Sequence, residues 1–166
     1  MIGEKVHIRM YENGDKYACI QAFISNVPKY FTEQEITEFE TFLDVYENKQ
    51  IPNPQSQTTF YYVLLHQGKI IACGGFGDRY DDGHLTLTWG LVHQSYHKMG
   101  FGKDLLAYRL QAMKMKFKRF ELCLDTTQYS FGFFEKFGFV TEKISANFYA
   151  KGLDRFDMVL KVNEDE

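Results

Sequence analysis

The sequence predicts an α/β (α+β) fold, with a mixed central sheet of about seven strands and helices on both faces. Three observations lead there. Apolar residues switch repeatedly between a period of two and a period near 3.6 along the chain. Three strand-like runs follow one another at 59–66, 69–77 and 84–92, separated by turn residues. The last of them leads through glycines directly into an amphipathic helix, as in sheets with parallel pairing. The resulting order is β-α-α-β-β-β-α-β-α-β-β, read as a single domain over residues 1–166.

Each element has a local reason. Residues 6–10 alternate as a short strand. Asp15 can cap a helix carrying Tyr17, Ile20, Phe23 and Ile24. Thr32 and Glu35 have the spacing of a capping box, ahead of a helix that places Ile36, Phe39, Leu43 and Tyr46 on one face. Ile51-Pro-Asn-Pro54 ends that helix and forms a connector. Gln67-Gly68 is a tight turn between the first two strands of the central trio, and 78–83 joins the last two. The next helix buries Leu106, Leu110, Met113 and Phe117; a strand at 120–125 and a helix at 128–137 follow. Strands at 139–149 and 155–162 form a terminal hairpin about Lys151-Gly152, and Asn163-Glu-Asp-Glu166 is a tail.

Composition narrows the function classes. With 45% hydrophobic residues the chain can build a core, so disorder is excluded. No apolar run approaches the roughly 18 residues that span a bilayer, and the N-terminus lacks a signal peptide's basic and apolar regions. A cytoplasmic location is expected. A net charge of −3 argues against nucleic acid as the main partner. The cluster Lys114, Lys116, Lys118 and Arg119 suits a solvated helix end, or an aid to a phosphate. Cys19, Cys73 and Cys123 form no CxxC pair, sit within apolar runs and are expected as buried reduced thiols. No metal site is expected.

The most informative stretch joins Leu85-Thr-Leu-Thr-Trp-Gly-Leu-Val92 to His97-Lys-Met-Gly100-Phe-Gly102-Lys103. A strand, a glycine turn and a helix start make an anion site, because the first helical amides lack intrahelical partners. A Walker A loop needs Ser or Thr after the lysine, and Asp104 stands there. A dinucleotide fingerprint needs a third glycine, and Leu105 occupies that place.

The run from Val92 to Gly102 resembles motif A of the GNAT superfamily of acyl-CoA-dependent N-acyltransferases. That motif has Gln or Arg three residues before the first glycine; here the residue is His97. A second stretch, Phe134-Glu-Lys-Phe-Gly138-Phe139, resembles the family's motif B with Phe134 in place of Tyr. The resemblance implies direct acetyl transfer from acetyl-CoA to a primary amine. It implies that His97, Lys98, Met99, Gly100, Phe101, Gly102 and Lys103 hold the pyrophosphate, mainly by main-chain amides. It implies further that Leu91 and Val92 offer backbone support to the thioester, and that Phe134 stands beside the cofactor.

The catalytic groups are less regular. Where some members have a Glu on the strand before the loop, this chain has Thr86. His84 lies on the same strand face, and an imidazole titrating near about 6.5 could remove the acceptor's proton. The bland reading is a solvated turn histidine, and His93 is a second candidate. With Phe134 unable to donate a proton, Tyr129 on the same segment could act as acid or could simply pack. Tyr30, Phe31, Tyr80 and Trp89, with Glu33, Asp81 and Asp82, suggest an aromatic acceptor pocket with an acidic rim. These features suit a small amine or peptide acceptor, and a homodimer is compatible with the resemblance. An acyl-CoA-binding sensor with little or no turnover, and an enzyme for longer acyl groups, remain open alternatives.

Overall fold

A computed structural model describes residues 6–48, 58–78 and 84–163. The elements run β1 (His7–Met10), α1 (Lys16–Ile24), α2 (Glu33–Glu47), β2 (Thr58–His66), β3 (Lys69–Asp78), β4 (His84–Val92), α3 (Phe101–Lys116), β5 (Phe120–Thr126), α4 (Phe131–Glu135), β6 (Val140–Ala150) and β7 (Leu153–Val162). The seven strands form one sheet in the order β1-β2-β3-β4-β5-β7-β6. All neighbours pair antiparallel except β4 and β5, which pair parallel. The α/β class and the predicted element order therefore match the structure. The connector at 51–54, Tyr80, Asp81 and Asp82 and the end of the tail lie outside the described residues.

Two cores sandwich the sheet. On one face α1 and α2 bury Cys19, Phe23, Phe39 and Leu43 against Tyr61, Val63, Cys73 and Leu91. On the other, α3 buries Leu105 and Met113 against Tyr62, Leu64, Ala72 and Leu122. Tyr61 and Val63 point one way, Tyr62 and Leu64 the other, as the two-residue strand period requires. Because both faces are covered, β2 and β3 are apolar almost throughout.

α2 begins as predicted. Thr32 Oγ1 accepts from the Glu35 amide at 3.3 Å, and Glu35 Oε1 accepts from the Thr32 amide at 3.0 Å. α1 differs. Its buried residues are Cys19, Ala22 and Phe23, while Tyr17 is 75% exposed and Ile24 is also exposed. Small Cys and Ala let the helix approach the sheet, and their weak hydropathic contrast hides that face in the sequence. Asp15 accepts two hydrogen bonds from Arg9, at 2.7 and 3.0 Å, and one from the Glu12 amide at 2.8 Å; its side chain does not cap α1.

The helix expected at 128–137 shortens to Phe131–Glu135. Gln128 is drawn instead to the β6–β7 hairpin, donating to the Gly152 carbonyl at 2.6 Å and accepting from the Asp154 amide at 2.9 Å. In α3 the buried stripe is Phe101, Leu105, Leu106, Arg109 and Met113, whereas Leu110 and Phe117 are half-buried. Cys19 and Cys73 are buried thiols as expected, but Cys123 is exposed, since alternation on β5 turns it away from Leu122 and Leu124.

Candidate active site

The site begins with a defect in the sheet. β4 pairs with β3 in regular register up to Thr88, opposite Gly75, and resumes with Leu91 opposite Cys73. Trp89 and Gly90 together therefore stand against Gly74, a β-bulge. Trp89 takes φ 39°, a conformation costing of order 1–3 kcal/mol for such a residue. Packing holds it there. The indole lies 5.7 Å from the Phe23 ring and 5.5 Å from the Phe39 ring, and its carbonyl accepts from the Tyr61 hydroxyl at 2.7 Å.

β4 and β5 pair only from His84–Thr86 to Glu121–Cys123. Beyond that the two parallel strands separate, and a cavity of about 1060 Å³ occupies the wedge. One wall is Leu87 through Val92; the other is Leu124 through Thr127 with Ser130, Phe133 and Phe134. The wedge continues without a break to Gly100, Phe101, Gly102 and Lys103 at the start of α3.

Gly100 takes φ 87° and caps α3. The first turn closes with the Asp104 amide on the Gly100 carbonyl at 3.0 Å, so the amides of Phe101, Gly102 and Lys103 stand ahead of the intrahelical ladder. Lys98, also at positive φ, reaches the same end of the cavity. His97 Nε2 donates to the Val92 carbonyl at 2.8 Å, since a carbonyl can only accept, and Asn26 Nδ2 donates to the same oxygen at 3.0 Å. The two side chains fix the end of β4 where it enters the loop.

Tyr30 spans the rim, with its ring 5.2 Å from His97 and 5.7 Å from Tyr129, and the Lys29 ammonium lies over both tyrosines at 5.2 and 5.6 Å. Glu35, Glu38 and Asp125 give the cavity acidic groups in a lining that also includes Phe31, Trp89, Phe148 and Tyr149. The Tyr149 hydroxyl donates to Asp125. Burial, then this hydrogen bond, push the tyrosine's pKa well up, so it stays protonated. The Glu35 carboxyl is raised above its ordinary range by burial first, and then by the charges of Glu38 and Asp125.

Arg109 lies beneath the bulge. It is 4% exposed, and its Nη1 donates to the Gly75 carbonyl at 3.3 Å. Burial brings its pKa down to about 10, which leaves it charged at neutral pH.

The residues predicted from the loop come together here. Leu91, Val92, His97, Lys98, Gly100, Phe101, Gly102, Lys103, Tyr129 and Phe134 all line the cavity, as do Tyr30, Phe31 and Trp89. Met99 does not; it is 59% exposed. His84 lines a separate hollow of about 290 Å³ with Thr86, Glu121, Arg155 and Asp157, which meets the main cavity at Leu124 and Asp125. His93 caps a turn, its Nδ1 accepting from the Ser95 amide at 3.1 Å, and Glu33 is exposed outside the cavity. Asn26, Glu38, Arg109, Asp125 and Tyr149 were not singled out from sequence, and Glu35 was read only as half of a capping box. Only Arg109 carried a readable signal, a charge on the buried stripe between Leu105 and Met113.

A bulged β4, a β4–β5 wedge and a glycine-capped α3 form one continuous cleft with free helix amides at one end. The acetyltransferase (GNAT) domain matches residues 27–162, and the chain belongs to that family of N-acetyltransferases. No curated protein matches the sequence significantly. Solved structures show the same fold. A GNAT-family protein from Desulfovibrio desulfuricans superposes with a TM-score of 0.75 at 20% identity, covering 95% of this chain and 99% of its own. The ribosomal-protein-S18-alanine N-acetyltransferase of Escherichia coli gives 0.71 at 21%, covering 96% and 95%. The PaiA N-acetyltransferase of Thermoplasma acidophilum, solved with coenzyme A, gives 0.70 at 16%, covering 95% and 99%. No described helix is long and apolar enough to cross a membrane.

Proposed function

We propose that the protein moves an acetyl group from acetyl-CoA to the primary amine of a cationic acceptor by direct attack. The observation that carries this is the continuity of the β4–β5 wedge with the free amides of Phe101, Gly102 and Lys103. A pyrophosphate at those amides, with Lys98 and Lys103 beside it, directs the attached arm along Val92 and Leu91 toward Gly90. His97 is already committed to the Val92 carbonyl, so it acts by holding the loop rather than by gripping phosphate.

The acceptor enters beside the acidic groups of the cavity lining. An ammonium group is attracted by Glu38 and Asp125 and must lose a proton before it can attack. Glu35, half-buried with its carboxyl shifted toward neutrality, suits that step directly or through a water. His84, in the adjoining hollow, is farther from the wedge. The amine nitrogen then bonds to the thioester carbon, the carbonyl oxygen carries the transient negative charge, and the carbon–sulfur bond breaks to give an amide and a thiolate. Tyr129 lines the cavity and meets the Tyr30 ring edge-on in the rim, with no contact that sets its hydroxyl apart as an acid. A cytoplasmic location, the compartment expected from the sequence, is part of the proposal.

Thiol release from acetyl-CoA in the presence of pooled polyamines, amino acids, aminoglycosides and short peptides tests the reading. Release above background with a cationic pool supports it. Binding of acetyl-CoA with no release from any pool would favour the acyl-CoA sensor.

A further inference from the structure

We propose that Arg109 is a further catalytic residue of this site: its guanidinium, seated in the gap opened by the β4 bulge, holds the departing thiolate of coenzyme A. This rests on the acetyl-transfer reading above. The side chain is a cation placed in an apolar stripe, between Leu105 and Met113, which are each at most 1% exposed. Room for it is made by glycines. A methyl group at Gly90 would sit 3.0 Å from both terminal nitrogens, and one at Gly74 would sit 3.1 Å from the guanidinium carbon. Two strand positions in the middle of the sheet are thus left without side chains where the guanidinium sits.

Its bonds do not satisfy it. Nη1 has the long contact to Gly75, and Nε has no hydrogen-bond partner. No carboxylate pairs with it among the described residues; Tyr61 and Cys73 are the polar groups at hand. A buried cation without a counter-charge is costly, and a leucine or methionine would fill a structural position without that penalty. The guanidinium lines the wedge next to Gly90, the point toward which the arm of the cofactor runs. An anion formed there would supply the missing partner.

The chemistry needs such a group. When the carbon–sulfur bond breaks, sulfur keeps the electron pair and leaves as a thiolate. Phe134 has no proton to offer it. A fixed guanidinium lowers the energy of the thiolate without transferring a proton, and the sulfur is protonated from solvent after release. The bland role, a plug donating to the Gly75 carbonyl, would leave the thiolate unaffected.

The experiment titrates the thiol of bound coenzyme A by ultraviolet difference absorbance, with Cys123→Ser in every protein to remove the exposed thiol. The thiol is expected to titrate at least about one pH unit below free coenzyme A, a tenfold gain in thiolate at a given pH. Arg109→Met should return it to the free value and Arg109→Lys should hold most of the shift. In turnover, Arg109→Met should lower kcat by at least about tenfold, matching that shift, while the acetyl-CoA KM changes little. Coenzyme A that binds with an unshifted thiol in the protein retaining Arg109 overturns the inference, even if Arg109→Met fails to fold. Equal shifts in that protein and in the Arg109→Met variant overturn it too. Failure of coenzyme A to bind at all would instead overturn the acetyl-transfer reading, and this inference with it.

Discussion

Three glycines, two beside the bulge and one far from it, make a graded stability test. Gly75 on β3 pairs with Tyr61 on β2, and a methyl group there would lie 2.0 Å from the Phe60 carbonyl oxygen, 2.8 Å from Tyr61 Cδ1 and 2.9 Å from Tyr61 Cα. Two of those atoms are backbone of a central strand, and Tyr61 is fully buried, so nothing nearby can move aside cheaply. Overpacking of a tight core costs about 1–3 kcal/mol, and a backbone clash belongs at or above the top of that range. Gly90→Ala first meets the end of the Arg109 side chain at 3.0 Å, and about 1–2 kcal/mol is expected. Gly14→Ala meets nothing within 4 Å at a position without positive φ, and should be neutral or stabilise by up to about 1 kcal/mol. Urea unfolding at constant pH reads all three. For a chain of this size each kcal/mol moves Tm by about 2–4 °C, so Gly75→Ala should fall by at least about 6 °C. A Gly75→Ala protein within 0.5 kcal/mol of its parent, on the order of measurement scatter, would show that the β2–β3 packing is misplaced.

Other expectations follow the same physics. Thr32→Ala removes the acceptor for the Glu35 amide and should cost about 1 kcal/mol in denaturant titration. Burial alone would raise the Asp15 carboxyl, but its bonds to Arg9 and the Glu12 amide outweigh that and hold it below its ordinary 3.8. Its contribution is therefore present above pH 3.8 and lost as pH falls through the lowered value; Asp15→Asn should cost about 1–3 kcal/mol at neutral pH and progressively less in acid. Glu35 has the opposite sign. Its raised carboxyl binds a proton more tightly in the folded state, so stability should decline as pH rises from 4.5 through the raised value, and Glu35→Gln should flatten that decline. Gly102→Leu, whose added Cβ has room at 3.7 Å but whose larger side chain meets Phe133 and Val92, should weaken coenzyme A at least about tenfold in calorimetry with little loss of Tm.

The parts of this molecule that are local in sequence were readable there. The capping box of Thr32 and Glu35, the Gln67-Gly68 turn and the glycine-capped α3 all depend on residues a few positions apart. The phosphate end of the site was legible for the same reason. Its catalytic end is assembled from afar: Glu35 on α2, Arg109 on α3, and Asp125 with Tyr149 on β5 and β6 meet only through the sheet order. Period-two alternation put His84 on the face of Thr86, but β4 and β5 are still paired at His84–Thr86, and the wedge opens only beyond them, so His84 stays in a separate hollow. The bulge at Trp89 that shapes the wedge itself was equally hidden. A bulge adds one residue to a strand and has no hydropathic signature, so alternation could not reveal it. Gln128 shows the same limit, since its bonds to Gly152 and Asp154 shorten a helix that local propensity extends.

Calorimetric titration with acetyl-CoA, with pantetheine as the comparison ligand, tests the cleft most directly. Saturable binding with a Kd between about 1 μM and 1 mM is predicted. Pantetheine, which lacks the pyrophosphate for the Phe101, Gly102 and Lys103 amides, should bind at least about tenfold more weakly. No binding of acetyl-CoA at millimolar concentration, or equal binding of pantetheine, would contradict the placement of the cofactor along this wedge.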